Sequence, residues 1–305
     1  MEFIVATRGS KLALTQAKLV RSMLAARFPD HRWKLQTIVT TGDRIQDRSL
    51  SEFGGKGVFL KEIEEALLTE KAHLAVHSLK DVPASETTGL HLAAFLPRED
   101  PRDVWASHQE DLMHLPVGKI VGTSSLRRTI LIRFYRPDLK VELLRGNVDT
   151  RLRKLKEGIY DAIVLAAAGL HRLELFDDSF MHYLSEDAFI PAIGQGILAI
   201  QTKKDHAELI DLLRRINDPL SESAALIERS LLAKYEGGCH LPVGALATRR
   251  ANTWRFRAFV GGIRSRRIVQ DVVESENADS CAEKMFERLE QLGASSLLQE
   301  LNETP

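Results

Sequence analysis

The chain has 305 residues, 44% of them hydrophobic, and its 42 Lys and Arg are balanced by 42 Asp and Glu. That length predicts two or three domains with sizeable cores, and the neutral balance argues against a nucleic-acid-binding protein, whose affinity comes largely from neutralising phosphates. Two cysteines are too few for a disulfide framework, and the longest apolar run, AIVLAAAGL at 162–170, is far short of the roughly 20 residues that cross a bilayer.

Phe3–Ala6 reads as a strand. Ser10 can then cap a helix carrying Leu12, Leu19, Val20, Met23 and Leu24 to about Phe28. Leu35–Val39 reads as a strand, Phe59–Glu70 has helical apolar spacing, and Leu74–Leu79 is a strand again. This alternation is the signature of βαβ units and a mainly parallel sheet. The charged, proline-bearing EDPRD at 99–103 interrupts it and predicts a crossing between domains. The alternation restarts with strand Ile120–Val121, a helix from Ser124, strand Val141–Leu144, helix Asp149–Glu157 and strand Ala162–Leu165. FIPAIGQGILAI at 189–200 predicts a return crossing. From Asp218-Pro219 a long amphipathic helix runs to about Tyr235. Strands at 245–248, 254–260 and 267–273 and a helix from Asp279 to Leu292 follow, predicting a small α+β domain.

The charge balance hides a local asymmetry. Residues 119–156 hold eleven Lys and Arg against three acids. Arg153, Lys154 and Lys156 read as a solvated helix face. Arg127 and Arg128 instead follow Gly122-Thr123-Ser124-Ser125, a small hydroxylated turn between a strand and a helix. Such turns present free backbone N–H groups and the positive end of the helix dipole, and arginine suits two-point recognition of carboxylate or phosphate. Arg145 ends another strand, Arg151 lies one turn into the next helix, and Arg8-Gly9-Ser10 repeats the pattern in the first unit. Lys56 sits in Gly54-Gly55-Lys56-Gly57, which is no Walker loop. In His77-Ser78-Leu79-Lys80-Asp81-Val82-Pro83, Asp81 reads either as a general acid/base or as a turn cap before proline.

Cys239, in EGGCHLPVG, admits four readings: a zinc ligand, a protease nucleophile, a buried structural thiol, or a covalent anchor whose glycines let a bulky group approach the backbone. Zinc lacks further cysteine or histidine at ligand spacing beyond His240, and adjacent residues point apart, which disfavours a Cys–His pair. Cys281, on an amphipathic helix, reads as packing.

In this order Arg8-Gly9-Ser10, GGKGVFLKE (54–62), AVHSLKDVP (75–83), REDPRD (98–103), GTSSLRR (122–128), LRGNVDTRL (144–152), YDAIVLAAAGLHRL (160–173), PAIGQG (191–196) and EGGCHLPVG (236–244) resemble the porphobilinogen deaminase (hydroxymethylbilane synthase) family, in register from residue 4 to about 262. The resemblance implies an α/β fold of three domains. Two periplasmic-binding-protein-like lobes, 1–97 with 197–216 and 101–191, would have a cleft between them, and 217–305 would be a small α+β domain. It favours a monomer, while the composition read above makes a reducing cytoplasmic or organelle-lumen setting the default, with no nucleic-acid or membrane partner and no metal expected. Four porphobilinogen units would join head to tail, with loss of ammonia, on a dipyrromethane cofactor, and water would release the linear tetrapyrrole 1-hydroxymethylbilane.

Residue by residue, the resemblance makes Asp81 catalytic and Cys239 the thioether attachment point. Lys80, Thr123, Ser125, Arg127 and Arg128 would hold cofactor carboxylates. Arg8, Ser10, Arg145, Gln195 and Arg172 would bind substrate, with Arg151 shared by both sets. Lys56 and Phe59 would belong to a mobile lid. Glu52 departs from the lysine of many relatives, and His240 receives no role. The rival from another class is a two-lobed protein that binds a carboxylate ligand without chemistry; such a protein has no use for Cys239 or Asp81.

Overall fold

A computed structural model describes residues 1–40, 60–235 and 241–301. The chain divides into two compact units, Met1–Glu99 with Gly196–Ser223 and Asp100–Gln195 with Ala224–Pro305. The chain order begins with β1 (Glu2–Arg8), α1 (Lys11–Arg27), β2 (Arg32–Ile38), α2 (Lys61–Leu68), β3 (Leu74–Ser78), a 3-10 turn (Leu79–Asp81) and β4 (Leu90–Phe95). In the second unit come β5 (Asp103–Ala106), β6 (Ile120–Thr123), α3 (Leu126–Tyr135), β7 (Lys140–Leu143), α4 (Val148–Lys156), β8 (Ala162–Ala166), α5 (Ala167–Arg172) and β9 (Met181–Tyr183). The chain then supplies β10 (Leu198–Lys203) and α6 (Ala207–Arg214) to the first unit, and α7 (Pro219–Lys234) follows. It ends with β11 (Val243–Arg250), β12 (Thr253–Gly261), β13 (Ile268–Ser275), α8 (Ala278–Gln291) and α9 (Ala294–Gln299).

The first unit's sheet has the order β2-β1-β3-β10-β4, and the second unit's five-stranded sheet has β7-β6-β8-β5-β9. In the first, β1 pairs parallel with β2 and β3, while β10 runs antiparallel to β3 and β4. In the second, β6 pairs parallel with β7 and β8, while β5 runs antiparallel to β8 and β9. The expected mainly parallel sheets are therefore mixed. In each, the antiparallel strand is the first one formed after the chain enters the unit, at Gly196 or at Asp100. Hydrophobic period identifies a strand but not its direction, which long-range pairing decides.

The local causes are those of the sequence. Ser10 caps α1, its Oγ accepting the Ala13 N–H at 3.3 Å, and Val20 and Leu24, one turn apart, face the sheet. The expected helix over Phe59–Glu70 narrows to Lys61–Leu68 within the described residues, burying Ile63, Ala66 and Leu67. β8 is apolar without alternation because cores cover both faces of its sheet: Trp105, Val121, Leu131, Val164 and Phe189 on one, Val104, Leu155, Ile163 and Leu170 on the other. Phe259 of β12 joins the first of these cores, tying the antiparallel β11-β12-β13 sheet to the second unit. Cys281 on α8 is buried, and burial pushes its thiol pKa up, so it packs as a small hydrophobe. Among the described residues no helix is long and apolar enough to cross a membrane.

Candidate active site

In the second unit the residues of interest converge on a buried aspartate. Ser125 caps α3, its Oγ accepting the Arg128 N–H, so the two arginines occupy the first helical turn. Both point inward, 3% and 6% exposed, against Asp103, the first residue of β5, which has no exposed surface. Arg127 Nη2 donates to Asp103 Oδ2 at 2.6 Å and Arg128 Nη2 to Oδ1 at 2.8 Å. Their Nη1 groups donate to the carbonyls of Ile190 (2.7 Å) and Val164 (2.9 Å). Gln195 completes the cluster, its Nε2 donating to Asp103 Oδ1 at 2.8 Å and to Pro101 O at 2.7 Å. Burial alone would raise the Asp103 carboxyl's pKa; the two facing guanidinium groups outweigh it and hold the carboxyl well below the usual carboxylate range. Burial lowers the Arg127 guanidinium from its ordinary value, with Asp103 opposing the shift.

The same cluster reaches the strand that follows the Cys239 segment. Ile190, which accepts from Arg127, and Pro191 pack directly against the start of β11. A Cβ on Gly244 would lie 2.7 Å from Ile190 O and 2.5 Å from the Phe259 ring, so only glycine lets the backbones close this far. Ala245 N–H donates to Pro191 O at 3.0 Å. Glu228, on the buried face of α7, accepts from Gly194 N at 2.7 Å and from Ala247 N at 2.9 Å, clamping the PAIGQG turn to β11.

In the first unit, Lys80 and Asp81 occupy the 3-10 turn at the end of β3. Leu79 and Val82 are buried on either side, Leu79 N–H continues the ladder to Ile197 O at 3.0 Å, and the Asp81 side chain is left exposed. His77, just before the turn, is buried with Nε2 3.0 Å from Gln201 Oε1. Burial pushes the His77 imidazole down to about 4 from 6.5, with the Gln201 hydrogen bond opposing the shift. An unfolded chain binds this proton near its ordinary pKa. The contribution of neutral His77 is therefore complete above that value and is lost as pH falls toward about 4. About 3 kcal/mol is at stake. Urea midpoints of the unaltered protein are expected to fall across this window, and a His77→Gln variant, which cannot take the proton, is expected to lose that component of the fall.

Other expected site residues are placed as follows. Arg8 ends β1, half-buried, and Ser10 caps α1. Thr123 ends β6, buried, its hydroxyl accepting the Ser125 N–H at 3.2 Å. Arg145 follows β7, and Arg151 on α4 donates from Nε to Gly146 O at 2.8 Å. Arg172 ends α5. Gln195, expected to bind substrate, is 1% exposed and donates to Asp103. Lys56, Phe59 and Cys239 lie outside the described residues, as do Glu52 and His240.

Residues 3–211 match the family model described as "Porphobilinogen deaminase, dipyromethane cofactor binding domain", and residues 223–291 match "Porphobilinogen deaminase, C-terminal domain". The chain belongs to the porphobilinogen deaminase family. A porphobilinogen deaminase of Exiguobacterium sibiricum is 43% identical over 302 residues, covering 98% of each chain. One of Syntrophobacter fumaroxidans is 50% identical over 244 residues, 80% of this chain and 79% of the relative. Among solved structures, the periplasmic VFT2 domain of Bordetella pertussis BvgS aligns at 14% identity and a TM-score of 0.42, over 70% of this chain and 86% of that one.

The porphobilinogen deaminase family's dipyrromethane carries acetate and propionate carboxylates, and the Asp103 cluster fits such a group. Two guanidiniums face one carboxylate, leaving one positive charge in surplus. The buried Nε–H groups of Arg127 and Arg128 have no hydrogen-bond partner among the described residues. Buried charged donors that are left unpaired call for an acceptor of opposite charge. Sequence reasoning did not find Asp103, Glu228 or the His77–Gln201 pair.

Proposed function

We propose that this chain joins four porphobilinogen units head to tail, with loss of ammonia, on a dipyrromethane held by Cys239 as a thioether, and that water then releases 1-hydroxymethylbilane. The observation that carries this reading is the family match over residues 3–211 and 223–291, which takes in the cofactor-binding domain. When bound, the cofactor supplies the pyrrole to which the first unit is joined.

The chain's own residues have separable tasks. Arg127 and Arg128, locked by Asp103, offer their remaining N–H groups to cofactor carboxylates at little further cost in side-chain entropy. Lys80, Thr123 and Ser125 assist, and Arg151 serves cofactor and substrate alike. Arg8, Ser10, Arg145 and Arg172 take the acetate and propionate of the incoming porphobilinogen, with Gln195 acting through Asp103. Lys56 and Phe59 cover the reacting groups. As ammonia departs with the electron pair of its C–N bond, the substrate's methylene carbon becomes cationic. The exposed Asp81 carboxylate stabilises that cation beside the pyrrole N–H groups and accepts the proton released when the new C–C bond forms.

The division into 1–97 with 197–216, 101–191 and 217–305 belongs to the same proposal, and the three separate sheets support it. So does a monomer, which rests on the family resemblance alone, and so does work in the cytoplasm without a nucleic-acid partner, which the sparse cysteines and the neutral charge balance favour.

Intact-mass measurement of the purified protein tests the reading. A dipyrromethane adduct and an Ehrlich-reactive pigment are expected on the unaltered chain, and neither on Cys239→Ser, which is also expected to be less stable. A bare chain that gains no adduct on incubation with porphobilinogen would favour the non-catalytic carboxylate-binding reading. A pigment still attached to Cys239→Ser would move the tether, with Cys281 as the remaining thiol.

A further inference from the structure

The turn that carries Asp81 is too short to hold itself, since one 3-10 turn closes few hydrogen bonds and packs little surface. Its aim depends on how the last residues of β3 are fixed, and two adjacent side chains there are pinned on opposite faces of the sheet. Ser78 meets Gln16 of α1, with Gln16 Nε2 at 3.0 Å from Ser78 Oγ. His77 meets Gln201 of β10, whose Nε2 donates to Glu64 Oε1 on α2 at 2.9 Å; Glu64 Oε2 accepts from Thr87 Oγ1 at 2.8 Å. Successive strand residues point to opposite faces, so anchors at 77 and 78 together stop the strand end from rotating about its axis.

The direction of the chain follows from its outer end. A carboxylate only accepts, so the Thr87 hydroxyl and the Gln201 amide nitrogen donate to Glu64. Gln201 is thereby turned with its carbonyl oxygen toward His77, and His77 donates from Nε2. We propose that Glu64, Gln201 and His77 are positioning residues for Asp81, the chain holding His77 as the neutral Nε2–H tautomer and with it the strand end from which the catalytic turn springs. This rests on the reading of Asp81 as the catalytic group.

Two measurements on the holoenzyme test it. Ring-nitrogen chemical shifts of labelled histidine, with His77 assigned by its loss in His77→Gln, are expected to report the neutral Nε2–H tautomer at pH 7. An Nδ1–H tautomer or an imidazolium would overturn the proposal. In kinetics, Gln201→Met keeps the buried volume but removes both hydrogen bonds. Its kcat is expected to fall about 10–100-fold by displacing the Asp81 turn, with KM for porphobilinogen and the cofactor adduct by mass unchanged. Glu64→Leu, altered at the solvent end where folding is least at risk, is expected to lose kcat in the same sense. Glu64→Gln, which still offers Gln201 an acceptor, is expected to restore most of it. Unchanged kcat in both Gln201→Met and Glu64→Leu, or a loss confined to KM, would overturn the proposal. Asp81→Asn run in parallel separates the two readings: turnover like that of the unaltered enzyme would remove Asp81 from catalysis, and the histidine shifts would still decide the tautomer.

Discussion

Asp103→Asn is expected to destabilise the folded chain by about 3–5 kcal/mol, the cost of removing one partner from a buried ion pair. The asparagine is near-isosteric, so the loss is not one of volume. Its amide replaces an acceptor oxygen with a donor facing guanidinium N–H groups, and two arginines that are 3% and 6% exposed are left with no counter-charge. Because Gln195 also donates to Asp103, the change loosens both ends of the second unit's first segment, at residues 101–103 and at 195. The thermal midpoint is expected to drop by roughly 6–20 °C. Cofactor attachment, read by intact mass, is expected to fall with it. A companion variant separates the two effects: Asp103→Leu with Arg127→Met and Arg128→Leu removes all three charges at once. Apolar replacement of a buried ionic cluster is often neutral or stabilising. The triple variant should therefore regain most of the stability yet remain without cofactor, because the proposed carboxylate donors are gone. Full cofactor loading of the triple variant would remove the arginine pair from the binding site.

What was legible in the sequence, and what was not, divides by range of interaction. Ser10 was readable as a helix cap, and the second helix was placed from Ser124, one residue ahead of its cap Ser125, because a cap needs only a hydroxyl ahead of an apolar period, a signal contained within four residues. The arginines were readable as anion donors for the same reason, since their place at a strand-to-helix turn is local. Asp103 was not, because a charge inside EDPRD looks like a solvated crossing. Its burial comes from partners 24, 25 and 92 residues away. Gln201 and His77 are 124 residues apart and meet because β10 inserts antiparallel beside β3, which no periodicity reports. The brief strands β4, β5, β9 and β10 escaped in the same way, being short apolar runs that only sheet neighbours turn into strands.

Asp81→Asn is expected to lower turnover by about 100- to 10,000-fold while leaving the fold nearly untouched. The structural half follows from what anchors the turn. Leu79 and Val82 are buried on either side, and the backbone hydrogen bonds run from Leu79 to Ile197 and from Val82 to Leu79. None of this uses the Asp81 side chain, which is exposed, so the stability change should stay within about 0.5 kcal/mol. The chemical half follows from charge. An asparagine keeps the shape but cannot neutralise a developing cation, and its amide oxygen is too weak a base to take a proton at neutral pH. Attachment of the cofactor and KM should be preserved, because the proposed carboxylate donors are arginines and lysines and not Asp81, so the loss should fall on kcat. Asp81→Glu adds the distinguishing comparison. It restores the charge but moves it by one methylene, and a misplacement of about 1 Å can cost about 100-fold. Glutamate should therefore recover part of the activity if charge is what Asp81 supplies, and none if the turn's backbone alone matters. Turnover in Asp81→Asn equal to that of the unaltered enzyme would leave Asp81 as a turn residue before Pro83.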